Sequence, residues 1–126
     1  MLIDDDEIDV FVNETLIKKS FFAENVFKYS GSVCSLEFFK NLETIANLSD
    51  ELLPSFLFLD INMPVLDGFQ FLDEFNKFSE LLRKKIKIVI LSTSSDINDI
   101  KKASHYKQVV KFLQKPLTEK DLGDLN

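Results

Sequence analysis

Five side chains of this chain stand where they can handle a phosphoryl group: Asp4, Asp5, Asp60, Ser92 and Lys115. Each closes or directly follows an apolar run, namely Met1-Leu2-Ile3, Phe56 to Leu59, Ile88 to Leu91, and the stretch Val109 to Gln114. A carboxylate that ends a segment as apolar as Phe-Leu-Phe-Leu is pushed toward its protonated form unless a cation lies beside it. A hard divalent ion meets that need. Magnesium takes octahedral oxygen ligands at about 2.0 to 2.1 Å, keeps several waters, and uses one or two carboxylates together with phosphate oxygens. One carboxylate of the Asp4-Asp5 pair, Asp60 and a nearby backbone carbonyl suit it. Ser92 supplies a hydroxyl that donates to a phosphoryl oxygen. Lys115 precedes Pro116, which restricts the residue before it and blocks continuation of a strand, so its ammonium is left free to reach a carboxylate or phosphate. Plainer readings stand beside these: a charged loop over Asp4 to Glu7 with Asp6 as a helix N-cap, a strand cap at Ser92, and a solvated lysine.

These residues meet only if the elements carrying them end in one place. The strand candidates are Met1 to Asp4, Asn25 to Ser30, Phe56 to Asp60, Lys87 to Ser92 and Val109 to Gln114. The third and fourth are continuously apolar, as central parallel strands covered on both faces are. Between them, Ile8, Phe11, Val12, Thr15 and Leu16 recur at helical spacing, as do Leu36, Phe39 and Leu42, and Phe69, Leu72 and Phe75. Ile97, Ile100 and Ala103 make a weaker fourth stripe, and a short fifth helix starts after Pro116 with Thr118 as its N-cap. Five strand-helix repeats with right-handed crossovers predict a three-layer α/β/α sandwich around a doubly wound five-stranded parallel sheet. In the flavodoxin-like order 2-1-3-4-5 the switch point lies between strands one and three, where the acidic pair would face Asp60. Gly68 supplies the turn before the third helix, where a left-handed backbone is cheap for glycine alone.

Composition narrows the class. With 126 residues, 45% hydrophobic and 29% charged, the chain reads as one soluble globular domain. No apolar run approaches the roughly 20 residues needed to span a bilayer, and the first residues lack the pattern of a secretory signal. A cytoplasmic location without membrane contact is the expectation. The net charge of -6 argues against direct nucleic-acid binding. Cys34 is the single cysteine, which excludes an internal disulfide and a thiolate metal cluster, and it reads as a small buried or half-buried apolar residue. The 13 phenylalanines, with no tryptophan, read as core.

Over essentially its whole length, 1–126, the chain resembles the CheY-like receiver domain of bacterial two-component response regulators. The resemblance runs through Leu2-Ile3-Asp4-Asp5-Asp6, the long motif from Phe58 to Gly68, Ile90-Leu91-Ser92-Thr93-Ser94, and Phe112-Leu113-Gln114-Lys115-Pro116-Leu117. It implies that Asp60 is the phosphoacceptor. It also implies that Asp4, Asp5, Asp60 and the backbone carbonyl of Asn62 bind Mg2+, with Mn2+ as an alternative. Ser92 is then the switch hydroxyl, Lys115 the phosphoryl-contacting lysine, Phe112 the aromatic switch and Pro116 a cis-proline candidate. The implied partners are a histidine kinase or histidine phosphotransfer protein and a downstream effector or output domain. A homodimer through the fourth helix, fifth strand and fifth helix is a further implication. Such a domain is no enzyme beyond its own phosphotransfer and autodephosphorylation. Thr93 departs from the small residue usual there and narrows the donor's route to Asp60, and Phe112 lacks a tyrosine hydroxyl. The first strand starts only three residues before the acidic pair and Gly123 interrupts the last helix, so the reading leaves room for trimmed ends and an output domain beyond Asn126.

Other classes fit less well. A haloacid dehalogenase-type phosphatase needs an aspartate two residues after its nucleophile, where this chain has Asn62. An FMN carrier needs a phosphate-cradling loop after strand one, where Asp4 to Glu7 would repel the ligand. An unphosphorylated pseudo-receiver used only for docking would not need the full set of site residues. His105 reads as a helix-end residue stabilised by the macrodipole, not as a phosphorelay histidine.

Overall fold

The computed structural model describes residues 1–126. Its five strands, β1 (Leu2–Ile3), β2 (Lys28–Tyr29), β3 (Phe56–Asp60), β4 (Lys87–Ser92) and β5 (Val109–Gln114), form one parallel sheet in the order β2-β1-β3-β4-β5. The helices are α1 (Glu7–Lys19), α2 (Ser32–Glu43), α3 (Gly68–Phe75), α4 (Glu80–Arg83), α5 (Ile97–Ala103) and α6 (Glu119–Leu125). The α4 turn, capped by Ser79, and a 3-10 turn at Asp50–Leu52 had no strong apolar stripe to announce them. With α4 counted, the fourth and fifth helices expected from the sequence are α5 and α6.

Alternation along the central strands sorts side chains into two cores. Ile3, Leu57, Leu59, Ile88 and Ile90 face α2, α3, α4 and α5, where Phe39, Phe71 and Phe75 pack edge to face and stacked. Leu2, Phe58, Val89, Leu91 and Leu113 face α1 and α6 and meet Ile17 and Leu122. Covering on both faces is what a parallel sheet requires. No helix is long and apolar enough to cross a membrane.

Four local expectations change. On α1 the inward face is Asn13 and Ile17, with Val10 and Leu16 partly buried, while Ile8, Phe11 and Val12 are exposed. Two stripes of helical spacing coexist on this helix, and the one that is polar at Asn13 meets the sheet. On α5 only Ala103 is buried and Ile97 and Ile100 face outward. That helix is held at its C-terminal end instead: Tyr106 stacks on Phe69, the Tyr106 hydroxyl donates to Asp73 Oδ1 at 2.7 Å, and Lys102 lies over the Phe69 ring. Cys34 is exposed, because Ser32, Ser35, Leu36, Phe39 and Leu42 define the buried face of α2 and place position 34 outside it.

Gly68 is needed for a different reason than turn conformation. No glycine has a positive φ; in the β3–α3 loop it is Val65, at φ 70°, that takes the left-handed conformation. A Cβ on Gly68 would lie 2.7 Å from the backbone oxygen of Asp60 and 2.8 Å from Ile61 Cα. Its missing side chain lets the start of α3 press against the end of β3. The Asp67–Gln70 capping box fixes that start from the other side.

Candidate functional site

The carboxyl ends of β1, β3, β4 and β5 converge because the parallel register runs nearly straight across the sheet: Leu2 opposite Phe58, Asp60 opposite Leu91, Ser92 opposite Gln114. Asp4, just past β1, and Asp60, the last residue of β3, are both buried, and Asp5 beside them is exposed. One carboxylate oxygen of each of the three lies within 4.8 Å of the others. Such an oxygen-only set suits a hard divalent cation. Asp6 does what the plainer reading assigned to it, accepting from the amides of Ile8 and Asp9 at 2.9 and 3.1 Å as the N-cap of α1. Cap and cluster coexist, and the cap places the helix start against the site.

Asp60 carries the electrostatic tension. Burial, with the nearby charge of Asp4, pushes its carboxyl up from 3.8 to about 6, against the opposing pull of Lys115 and the Asn62 amide. The Asn62 N–H points to Asp60 Oδ1 at 3.4 Å. Lys115 reaches carboxylates from the end of its strand. Its ammonium donates to Asp4 Oδ2 and Asp9 Oδ2, each at 2.8 Å, and stands 3.5 Å from Asp60 Oδ1. Burial works against this charge, but the carboxylates of Asp4, Asp9 and Asp60 outweigh it and hold the lysine above its ordinary pKa. The Lys115–Pro116 peptide is cis, and the Lys115 amide donates to the Ser92 carbonyl at 2.7 Å, which fixes the end of β5 against β4.

Ser92 is wholly buried, and its Oγ accepts from the Ser94 amide at 3.0 Å. Ile90 is opposite Phe112 in the β4–β5 register, so Ser92, two residues on, shares a sheet face with Phe112. Phe112 is partly buried and packs against the core on the α3 and α5 side. Thr93 walls a hollow of about 260 Å³ with Asp9, Val12, Asn13, Lys115 and Pro116. His105, past the end of α5, is exposed and its Nδ1 lies 2.8 Å from the Lys101 carbonyl.

Asp9 is the residue that sequence reasoning missed. It sits in an acidic run from Asp4 to Asp9 where any member passes for a first-turn helix acid, and no local pattern ties it to a lysine 106 positions away.

The family model described as the response regulator receiver domain matches residues 1–125. The chain belongs to that family. A two-component response regulator from Cytophaga hutchinsonii is 30% identical, with a TM-score of 0.86 over 98% of this chain and 90% of that one. A response regulator receiver protein from Dyadobacter fermentans is 25% identical, with a TM-score of 0.83 over 98% and 91% of the two chains. The Mn2+-bound form of response regulator Rcp1, at 22% identity and a TM-score of 0.72 over 98% and 85%, shares the fold. None of the curated proteins compared with the chain matches it. In this receiver the acidic cluster stands at the switch point of the sheet, with its three carboxylates close enough together to hold a metal ion.

Proposed function

We propose that this receiver accepts a phosphoryl group on Asp60 from the phosphohistidine of a histidine kinase or histidine phosphotransfer protein and passes the change to the surface of α5, β5 and α6. The observation that supports it most is the pairing of a buried, charge-frustrated Asp60 with Lys115 and two further carboxylates at one point. An Asp60 oxygen attacks phosphorus, the P–N bond of the phosphoimidazole breaks with its electron pair returning to the ring nitrogen, and an acyl phosphate forms. Asp4, Asp5, Asp60 and the Asn62 carbonyl would hold Mg2+, with Mn2+ as the alternative. When bound, the ion supplies charge neutralisation to the phosphoryl oxygens. Lys115 adds a second positive charge and orients the transferred group. The Ser92 hydroxyl donates to a phosphoryl oxygen, and Phe112 follows it on the same sheet face into the space vacated. The exposed apolar residues Ile8, Phe11 and Val12 on α1, the helix that begins at the site, suit a phosphodonor protein pressing on that side. The outward-facing Ile97, Ile100 and Val110 suit an effector or a second copy at the output face.

The test is the intact mass after incubation with Mg2+ and acetyl phosphate. Gain of one phosphoryl group by the natural chain and none by Asp60→Asn supports the reading; equal masses would leave the chain a docking module.

A further inference from the structure

Lys115 is the single cation of the site and it is shared three ways. Asp9, on the first turn of α1, takes one of its N–H bonds at 2.8 Å, as close as Asp4, while Asp60 is left at 3.5 Å. Asp9 lies outside the three-carboxylate cluster, and the phosphotransfer reading leaves it without a role. We propose that Asp9 is a positioning residue for Lys115, holding the ammonium on the α1 side of the site so that Asp60 stays open to a divalent cation and a phosphoryl group. This inference rests on the receiver reading.

The geometry gives the reason. An ammonium has three donors and no acceptor. Two are fixed by Asp4 and Asp9, and the 3.5 Å separation from Asp60 exceeds a normal N–H···O bond. Without the Asp9 charge, the negative groups left to this nearly buried lysine are Asp4 and Asp60, both buried. The freed donor then closes on Asp60. Lysine and divalent cation would compete for the same two carboxylates. With Asp9 present, Lys115 can give up Asp4 without being left buried and unpaired. The carboxylate of Asp9 is itself 36% exposed, so its direct field at the cluster is screened, whereas its contact with Lys115 is not. A glutamate at position 9 keeps the charge, and the hollow between Asp9, Thr93 and Pro116 leaves room for its extra methylene.

Calorimetric Mg2+ titration of the whole chain tests this on Asp9→Asn, Asp9→Glu, Lys115→Met and the Asp9→Asn/Lys115→Met double variant. Asp9→Asn should weaken Mg2+ binding about tenfold, Asp9→Glu should stay within about twofold of the natural chain, and Asp9→Asn on Lys115→Met should cost less than about twofold. Undiminished binding in Asp9→Asn overturns the proposal. So does an equal loss in both backgrounds, which would mean a bare through-space charge. A readout that needs neither metal nor the lysine variant is the Asn62 amide resonance, because its N–H points to Asp60 Oδ1 where Lys115 would close in. It should shift in metal-free Asp9→Asn, and an unmoved signal refutes the relocation. A natural chain that neither binds Mg2+ nor gains mass from acetyl phosphate sinks the phosphotransfer reading as well; normal binding and labelling that Asp9→Asn leaves intact removes only the role of Asp9.

Discussion

Asp60→Asn should make the metal-free protein more stable at neutral pH, and the size of the gain should vary with pH. In the fold the carboxyl titrates at about 6 against an ordinary 3.8, because burial and the neighbouring Asp4 disfavour its charge. An acid whose pKa is raised on folding favours the native state while protonated. Its contribution is fully present below about 3.8 and is lost as pH rises through about 6. About two pK units at 1.36 kcal/mol each give about 3 kcal/mol between the two limits. Asparagine keeps the shape, removes the charge, and retains an oxygen that can accept from the Asn62 amide. Urea or thermal melts in EDTA from pH 4 to pH 8 would measure the difference. At pH 8 the variant should exceed the natural chain by about 3 kcal/mol, roughly 10 °C in Tm for a domain of this size. Near pH 4 the gap should close. A gap that does not change with pH, or a variant less stable at pH 8, would refute the argument, since either means that Lys115 already neutralises Asp60 in the fold. Saturating Mg2+ should then raise the natural chain more than the variant, by about 2.7 kcal/mol at a hundredfold excess over Kd.

The other predictions concern the neighbours of Asp60. Lys115→Ala leaves the buried Asp4 facing Asp60 without its cation and should cost about 3 kcal/mol in a urea melt. Asp5→Ala removes an exposed carboxylate of the cluster that has no ion-pair partner, so it should lower Mg2+ affinity tenfold or more, about what ligand-sphere changes cost, while leaving the melting temperature close to unchanged. Gly68→Ala drives a Cβ into the backbone of Asp60 and Ile61 and should destabilise by about 1 to 3 kcal/mol, with Mg2+ affinity falling as the Asp60 backbone shifts. Beryllofluoride, a phosphoryl mimic, should move the amide signals of Phe112 and of Ile97 to Tyr106 as well as those of the loops around Asp60. Shifts confined to those loops would remove the proposed route to α5.

The sheet was legible because its inner strands are unambiguous: Phe56 to Asp60 and Lys87 to Ser92 have the bounds expected, and the polar residue ending each run marks the side on which ligands meet. The edge strand was less so. Asn25 to Ser30 holds only two ladder residues, Lys28 and Tyr29, since its one neighbour, β1, offers only Leu2 and Ile3 to pair with. Helix faces were harder still. On α1 hydrophobicity alone chose Ile8, Phe11 and Val12, yet the sheet took Asn13 and Ile17, because burial follows the angle at which the Asp6 cap and the β1 end deliver the helix. The same applies to Gly68, where the sequence shows that a special residue is needed but not whether φ or space demands it. Long-range ion pairing has no sequence signature at all, which is why the partner of Lys115 on α1 emerges from the structure alone.

A common cause links these features. Four carboxylates, Asp4, Asp5, Asp9 and Asp60, crowd the mouth of a sheet whose interior is Leu, Ile, Val and Phe, and one lysine serves three of them, Asp4, Asp9 and Asp60. The fold therefore holds this cluster in a state that is short of positive charge, and Asp60, pushed toward protonation, bears the cost. Any event that brings cationic charge to the cluster relieves it, and any event that changes what Lys115 must satisfy redistributes it. Lys115 directly follows β5, and its amide is tied to the Ser92 carbonyl, so the group that answers for the charge is joined through the backbone to both the serine and the strand that carries Phe112. Under the proposed function, a local change of charge at Asp60 has a route to β4 and β5 through groups already in contact. The loosely covered outer face of α5, held at its Tyr106 end and exposed at Ile97 and Ile100, is where movement costs least.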